Sequence, residues 1–502
     1  MTEYKKHYKI KLKKQNTKKE KDLQEERWEK FLKKKNISYE KKEFFPGYEI
    51  YKVGELSETL EKEIQENPEI DFIKPLHRYF LNFQTKQIET EKGTILKPKQ
   101  GEKYPIVGVL DNGIAPLEEF ENWLYQDETS YCKEEIYPSH GTFVAGVILY
   151  GDTLSQEHWC GGREVQIFNA AVVPDFSVYQ LEEDELYERI YKAISEHSWI
   201  KVWNLAISIR FPVEKDRISD FGLLLDYLQG KYDILICKSC GNGNFVENGK
   251  EAGMILQGSD TERALVVAAC NRDKVVSSFS LSGKGHKILQ KPDIAMYGGD
   301  VFRNEEGKRK IEGVFSFSPE GEIVSSFGTS FATARMTRIA ANLLFWKENS
   351  SSLFLKAMMV HAARGYEKYS LGYGCSLSSE EIYQEYQNSI LEEGSLVEEE
   401  SFLFYFSNHK IVATLTSDVV LDYHQEEEYI LEDISWRIFY QGREITGENQ
   451  LGNFEYFSSL KKLECEMKEE NGEVKIVLFR RKKRKKTQEN KEKLQYCLLW
   501  KK

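Results

Sequence analysis

The spacing of apolar positions divides the chain into regions with different patterns. Between residues 104 and 387, short apolar runs alternate with longer segments in which apolar residues recur every three or four positions. The short runs are typical of buried parallel strands, and the longer segments are typical of helices with one buried face. The sequence therefore predicts an α/β domain with a parallel sheet and helices on both faces. Strands are predicted at 106–110, 165–173, 202–209, 234–237 and 265–269, and helices at 186–197, 221–228 and 353–364.

The regions on either side of this domain follow other patterns. Residues 44–82 contain a strand pattern, a helix pattern and a second strand pattern, which together predict a small α+β unit. Residues 1–43 are dense in charge and predict a charged helical arm, and the polar residues 83–103 predict a linker. In residues 388–502, short strand-like runs with turn residues between them predict a β-sandwich-like C-terminal domain.

Composition and charge narrow the functions that such a chain can have. Forty per cent of the residues are hydrophobic and 13% are aromatic, so the composition is that of a globular protein. The net charge is −11, which argues against a general nucleic-acid binder. Seven consecutive basic residues, Arg480–Lys486, predict a solvated loop, and contact with nucleic acid or an acidic partner stays open as an alternative.

The chain has neither a secretory signal pattern nor a run of eighteen apolar residues. We therefore expect no membrane partner. The eight cysteines of the chain lack the spacing of a disulfide framework, so we expect reduced thiols and a cytoplasmic location. Cys237 and Cys240 form a C-x-x-C pair without a second Cys/His pair at metal spacing. We therefore expect neither a metal site nor a cofactor.

Three short motifs place polar residues of catalytic type in the α/β region. Asp111 ends the apolar run that begins at Val107, His140 opens a run of small and apolar residues, and Ser330 opens a helical pattern. Each motif alone has an ordinary explanation. An aspartate after a strand is a common turn residue, a lone histidine before a helix is more often structural, and a serine is an ordinary N-cap.

Taken together, in the order Asp, His, Ser, the motifs LDNGI, HGTFVAG and GTSFATA match the arrangement of the subtilisin triad. Over residues 104–385 the chain resembles the subtilisin-like serine proteases (subtilases, peptidase family S8). A weaker resemblance joins residues 60–73 to the end of the propeptide domain that precedes many of these proteases.

The resemblance implies a role for each motif residue. Ser330 would be the nucleophile, His140 the general base and then the general acid, and Asp111 the group that orients His140. The segment that begins at Ser239 is similar to the family's oxyanion-hole segment, which implies that Asn242 is the side-chain donor. Substrate would add as a β-strand to the following residues: Leu205, Ala206, Ile207 and Ser208.

Some positions depart from the family pattern. Ala334 stands where the family usually has proline, and Phe143 and Phe331 replace a common histidine and a common methionine. Ser208 stands in place of a glycine, so the cleft is expected to be narrowed or reshaped. The sequence does not show whether the S1 pocket, which binds the substrate residue before the cleaved bond, prefers an acidic, basic or large apolar side chain.

The leading hypothesis is an intracellular, regulated serine endopeptidase that acts on protein or peptide substrates. We expect residues 44–82 to cover the catalytic sheet and the linker to pass near the cleft, and a regulatory protein partner stays open. One alternative is a subtilase fold with a degenerate cleft that serves as a binding or scaffold module. Another is a protease recruited to nucleic acid by its basic segments.

Overall fold

The computed structural model describes residues 6–79, 83, 85–87, 95–125, 129–243, 253–284, 286–303, 308–406, 410–425, 428–452, 456–467, 472–483 and 493–501. No helix among these residues is both long enough and apolar enough to span a membrane.

The N-terminal unit is a four-stranded antiparallel sheet with two helices. Its elements are β1 (Tyr8–Leu12), α1 (Lys18–Lys34), β2 (Tyr39–Phe45), β3 (Tyr48–Val53), α2 (Glu58–Gln65) and β4 (Ile70–Pro75). The strand order is β2-β3-β1-β4. Helix α1 begins with a capping box between Thr17 and Glu20, and it buries Trp28 and Leu32 in the core that the sheet shares with Ile64 of α2.

The division between residues 1–43 and residues 44–82 is not seen in this sheet. Strand β1 lies between β3 and β4, and β2 pairs with β3, so residues of both ranges form one unit. The sequence favoured a charged arm because Lys9 and Lys11 interrupt the apolar pattern of β1. Both lysines are nevertheless buried. Each pairs with an acidic residue that is distant in the sequence: Lys9 with Glu183, and Lys11 with Asp71.

The described part of the central domain has fourteen strands, seven of which form its main sheet. Its strands are β5 (Lys86–Gln87), β6 (Ile106–Asp111), β7 (Thr129–Ser130), β8 (Gln166–Ala171), β9 (Val202–Leu205), β10 (Ile209–Pro212), β11 (Leu235–Ser239), β12 (Leu256–Gln257), β13 (Leu265–Cys270), β14 (Ile294–Tyr297), β15 (Asp300–Arg303), β16 (Arg309–Glu312), β17 (Val314–Phe317) and β18 (Ile323–Ser326). Its helices are α3 (Glu118–Glu121), α4 (Ser139–Ser155), α5 (Glu183–Glu196), α6 (Asp220–Tyr232), α7 (Thr329–Trp346), α8 (Ser352–Ala362) and α9 (Ser379–Gln387).

The main sheet has the order β14-β13-β11-β9-β6-β8-β7, and every neighbouring pair is parallel. Helices α4 and α7 share one apolar core with the sheet, and α5 and α6 share another. The predicted α/β class, with a parallel sheet and helices on both faces, is confirmed. Because all strands run the same way, the residues at their carboxyl ends meet at one edge of the sheet.

The C-terminal region is antiparallel and β-rich, as predicted. Its elements are β19 (Ser389–Leu396), β20 (Glu399–Phe406), β21 (Lys410–Ser417), β22 (Val420–Leu421), β23 (Ile430–Tyr440), β24 (Arg443–Glu444), α10 (Thr446–Asn449), β25 (Gln450–Leu451), β26 (Leu460–Glu466), β27 (Gly472–Lys482) and β28 (Leu494–Lys501). One sheet has the order β19-β28-β21-β26-β25, and the other has β20-β27-β23-β22 with β24 beside β23. Side chains of both sheets, among them Trp436 and Trp500, form one core.

The basic run Arg480–Lys486 lies partly outside the described residues. Its first three residues belong to β27 rather than to a loop. Arg480 donates to Glu432 at 2.6 Å, and Arg481 donates to Asp433 at 2.8 Å. Acidic side chains of β23 therefore neutralise the start of this run, which leaves less charge for nucleic acid there.

The N-terminal unit is joined to the central domain by buried ion pairs. The Lys9 amine lies 2.7 Å from a carboxylate oxygen of Glu183 and also pairs with Asp220, and all three side chains are buried. The Tyr48 hydroxyl donates to Asp220 as well. Burial acts to raise the pKa of Asp220, but the charge of Lys9 and the hydrogen bonds from Lys9 and Tyr48 outweigh it and lower that pKa.

Replacing Lys9 with methionine is expected to destabilise the protein by about 3–5 kcal/mol, because two buried carboxyl groups lose their cation. Urea unfolding at pH 7 measures this change. The ionised form of Asp220 contributes stability above its unfolded pKa of about 3.9, and that contribution is lost as the pH falls further. The difference between wild type and Lys9→Met should therefore shrink near pH 3.

Lys30→Met is the matched control, because Lys30 is exposed and, within the described ranges, forms an ion pair only with the exposed Glu26. We expect the control to lie within about 0.5 kcal/mol of wild type. A Lys9→Met protein as stable as the control at pH 7 would show that the ion pairs do not hold the unit in place.

Candidate active site

Asp111 is the last residue of β6, between β9 and β8 in the main sheet, and its carboxylate is buried at the carboxyl end of that strand. One of its oxygens accepts the backbone N–H of Asn112 at 2.9 Å. The chain then turns at Gly113, whose φ of +92° lies in the region that favours glycine. The apolar strand and the glycine turn together fix the direction of the carboxylate.

His140 is the second residue of α4 and is 3% exposed. Its Nδ1 atom lies 2.8 Å and 2.9 Å from the two carboxylate oxygens of Asp111. A carboxylate can only accept, so Nδ1 carries the proton and donates it to Asp111. In the neutral ring Nε2 is then the unprotonated nitrogen, which can accept a proton from another group.

The start of α4 is held against the turn that follows β6. The Asn112 side-chain oxygen accepts the N–H of Gly141 at 2.8 Å, and the Thr142 hydroxyl accepts the N–H of Ala115 at 2.8 Å. A Cβ atom on Gly141 would lie 2.2 Å from the carbonyl oxygen of Gly113, so only glycine permits this approach. These contacts bring Asp111 and His140 together although the sequence separates them by 29 residues.

Ser330 is the second residue of α7 and is 7% exposed. Its hydroxyl donates to the carbonyl oxygen of Ala206 at 3.1 Å, and among the described residues no hydrogen bond joins it to His140. Its backbone N–H belongs to the four at a helix start that lack an intrahelical acceptor. The helix dipole also makes this end of α7 favourable for negative charge.

Asn242 follows β11 and contacts the start of the same helix. Its side-chain oxygen accepts the backbone N–H and the hydroxyl of Thr329, both at 2.9 Å. Because the oxygen is used in this way, the side-chain NH₂ group is the part of Asn242 available to a ligand. This NH₂ nitrogen lies near Gly328, where an added Cβ atom would approach it to 3.2 Å.

The four residues of the predicted substrate strand have different environments. Leu205 ends β9, and Ala206–Ser208 continue beyond the strand. Leu205 and Ile207 bury their side chains in the core shared with α5 and α6, so a substrate cannot reach those side chains. Ala206 lies beside Ser330, and Ser208 is half-buried.

The sequence did not single out Phe83, which lies at the start of the predicted linker. The Phe83 ring meets the ring of His140 edge-on, with 5.1 Å between ring centroids and 86° between planes. It also contacts Phe143 and Phe331, the two aromatic residues that depart from the family pattern. An isolated aromatic residue in a polar segment was the available signal.

Comparisons with known proteins identify a family and a fold. The sequence profile of the Subtilase family matches residues 102–375, which is more than half of the chain. The epidermin leader peptide processing serine protease (EpiP) of Staphylococcus aureus has the same fold. That structure is 14% identical, with a TM-score of 0.50, and the match covers 76% of this chain and 98% of EpiP.

A structure of an EpiP variant gives a TM-score of 0.50 at 13% identity, over 76% of this chain and 99% of the variant. At such identities the likeness concerns the fold alone. No curated protein sequence matches the chain.

Proposed function

The chain belongs to the subtilase family and is a subtilisin-like serine protease, and we propose that it hydrolyses peptide bonds through Asp111, His140 and Ser330. The observation that carries this proposal is the buried pair in which Asp111 accepts from Nδ1 of His140. That pair leaves Nε2 free to take the Ser330 proton. The carboxylate stabilises the imidazolium that results.

The first step needs a change of hydrogen-bond partner at the nucleophile. The Ser330 hydroxyl donates to Ala206 in the free protein, so it must turn from that carbonyl oxygen to Nε2 of His140 when substrate binds. The deprotonated oxygen then attacks the scissile carbonyl carbon and forms a tetrahedral intermediate. His140 returns the proton to the leaving amine, which gives an acyl-enzyme that water later hydrolyses.

The negative charge of the tetrahedral intermediate needs donors that are already in place. The side-chain NH₂ group of Asn242 and the backbone N–H of Ser330 are the donors that we propose. Thr329 supports this assignment because it holds the oxygen of Asn242 and so directs the NH₂ group away from itself. The start of α7 adds a favourable dipole.

Peptide hydrolysis by the purified full-length protein tests the proposal. We expect new amino termini to accumulate from an unstructured protein substrate, and a serine-directed fluorophosphonate to stop their release. Product formation that persists after complete reaction with the fluorophosphonate would contradict a serine mechanism.

We also propose that the segment between the N-terminal unit and the central domain restrains activity. The N–H of Tyr79 donates to the carbonyl oxygen of Leu181 at 2.9 Å, Phe83 lies against His140, and β5 pairs antiparallel with β18. Strand β18 ends at Ser326, four residues before Ser330. Described residues on both sides of Phe83 thus contact the central domain, which supports Phe83 as the residue that blocks access to His140.

Phe83→Ala is expected to raise kcat/KM for a peptide by roughly three- to tenfold, because an aromatic contact of about 0.5–1.5 kcal/mol no longer opposes substrate binding. Initial rates on a fluorogenic peptide measure the change. Phe302→Ala is the control, since Phe302 is 46% exposed on β15. A Phe83→Ala rate equal to that of wild type would contradict restraint by this contact.

A reducing compartment such as the cytoplasm is our proposal for the location. The cysteines are free thiols, and six of the eight are buried. Burial raises the pKa of the Cys240 thiol to about 11 and that of Cys237 to about 12, so neither forms a reactive thiolate readily. Free, inert thiols of this kind are typical of proteins in reducing compartments.

A further inference from the structure

Lys238 is a fully buried lysine in β11, four positions before Asn242. Its amine donates to the hydroxyl of Ser208 at 2.7 Å and to the carbonyl oxygen of Ser239 at 2.8 Å, and it lies 3.5 Å from the Ser239 hydroxyl. Within the described part of the chain, no carboxylate comes within ion-pair distance of it. A buried ammonium group without a counter-ion is costly, and proteins rarely keep one without a reason.

This lysine lies where two segments of the active site run side by side. Strands β9 and β11 are parallel neighbours, and Lys238 pairs with Leu205 in their register. Beyond the strands, one segment leads to Ala206, which accepts from Ser330, and the other leads to Asn242. The Lys238 side chain starts on the second segment, and its amine hydrogen-bonds to Ser208 of the first.

The position of the reacting carbonyl determines which substrate side chain enters this space. In the proposed mechanism the carbonyl carbon lies at Ser330 and its oxygen faces Asn242, so the side chain of the same substrate residue lies near the two segments that carry Ala206 and Asn242. Ala206 and Ser208 lie two positions apart on the segment that continues β9. Ser208 is half-buried, and its hydroxyl accepts from the amine of the fully buried Lys238.

We propose that Lys238 and Ser208 form the base of the pocket for the residue on the amino side of the cleaved bond, and that this pocket selects aspartate or glutamate. A substrate carboxylate would accept from the Ser208 hydroxyl and supply the counter-charge that the amine lacks. This inference rests on the proposed function, and it names the substrate class that the sequence left open.

The surroundings of the amine agree with such a role. Burial lowers the pKa of Lys238 to about 7, although the charges of Cys240 and Asp260 act in the opposite direction. Asp260 is itself engaged elsewhere, since its carboxylate accepts from the backbone and hydroxyl of Ser219. The approach of a substrate carboxylate would favour the charged amine, because an opposite charge nearby raises the pKa of a lysine.

Two peptides that differ only in glutamate or glutamine at the residue before the cleaved bond provide the test. The two side chains have nearly the same size, so the ratio of their kcat/KM values reports on charge. We expect the full-length wild type to prefer glutamate by about ten- to a hundredfold, the range for hydrogen bonds to charged groups. In Lys238→Met this ratio should fall to about one.

Lys356→Met is the matched control. Lys356 is also a buried lysine, and its amine donates to the carbonyl oxygens of Glu262 and Ala264. The control should keep the wild-type preference for glutamate even where it lowers stability. If Lys238→Met does not fold, Ser208→Ala provides the second variant, and its glutamate-to-glutamine ratio should fall at least threefold.

Fluorophosphonate labelling of Ser330 in the same preparations separates the possible failures. Labelled wild type that cleaves the glutamine peptide as fast as the glutamate peptide would overturn the acidic pocket and leave the proposed function intact. Wild type that neither labels nor cleaves would overturn the proposed function together with this inference. The comparison is repeated in Phe83→Ala, and a labelled protein that cleaves neither peptide in either background also counts against the pocket.

Discussion

Ser330→Ala is expected to lower kcat for peptide hydrolysis on the order of 10⁶-fold, which is the loss measured for subtilisin, a member of the same family. The physical reason is that alanine has no oxygen that can attack the carbonyl carbon, so His140 has no hydroxyl proton to accept. What remains is the acceleration provided by substrate binding and the oxyanion donors. Rates on a fluorogenic peptide, at matched protein concentration, measure this loss.

The control for this prediction is another buried serine of the same domain. Ser316 is fully buried in β17 and donates its hydroxyl to the carbonyl oxygen of Phe143, away from the substrate. Ser316→Ala should change stability more than kcat. Comparable residual activity in the two variants would mean that Ser330 is not the nucleophile.

Asn242→Ala is expected to lower kcat by about 10²–10³-fold, the loss known for the oxyanion-hole asparagine of subtilisin, a relative of this protein. The effect should fall mainly on kcat, because the NH₂ group meets its full negative charge only in the transition state. The Ser330 N–H would remain as the second donor, so activity should not disappear. Steady-state kinetics that separate kcat from KM provide the measurement.

Thr329→Val tests how Asn242 is oriented. This substitution removes one of the two donors that hold the Asn242 oxygen and keeps the backbone N–H. We expect a smaller loss in kcat, roughly three- to tenfold, as for one neutral hydrogen bond.

An Asn242→Ala protein that changes only KM, or neither constant, would contradict the role assigned to Asn242.

The local position of each candidate site residue could be predicted from the sequence, whereas the N-terminal unit could not. Asp111, His140 and Ser330 each stand in a short motif whose geometry is local: the end of an apolar strand, or the first turn of a helix. Such geometry depends on neighbouring residues, so it can be seen without a structure. The parallel sheet was predicted for the same reason, since its buried strands are short continuous apolar runs.

Buried charge explains most of what the sequence left out. Strand β1 carries Lys9, and β26 carries the buried Lys461 and Lys462, so neither strand has an apolar pattern. Lys461 is buried because Asp433, 28 residues away, accepts from it. Partners that are distant in sequence cannot be inferred from a local pattern.

The contacts of Lys238 with Ser208 and of Phe83 with His140 also join residues that are distant in the sequence. Lys238 is a single charge inside an apolar strand, which was a visible signal, but its approach to Ser208 depends on the neighbouring strand. Phe83 meets His140 although the two residues are 57 positions apart in the sequence. The sequence predicted that the linker passes near the cleft but could not identify the residue that contacts the histidine.

The most direct test of the account is the intact mass of full-length protein after reaction with a fluorophosphonate, with Ser330→Ala in parallel. The account predicts that wild type gains the mass of one probe molecule and that Ser330→Ala gains none. Phe83→Ala should label faster than wild type. Labelling of Ser330→Ala, or wild type and Phe83→Ala that both stay unlabelled, would contradict an activated nucleophile at Ser330.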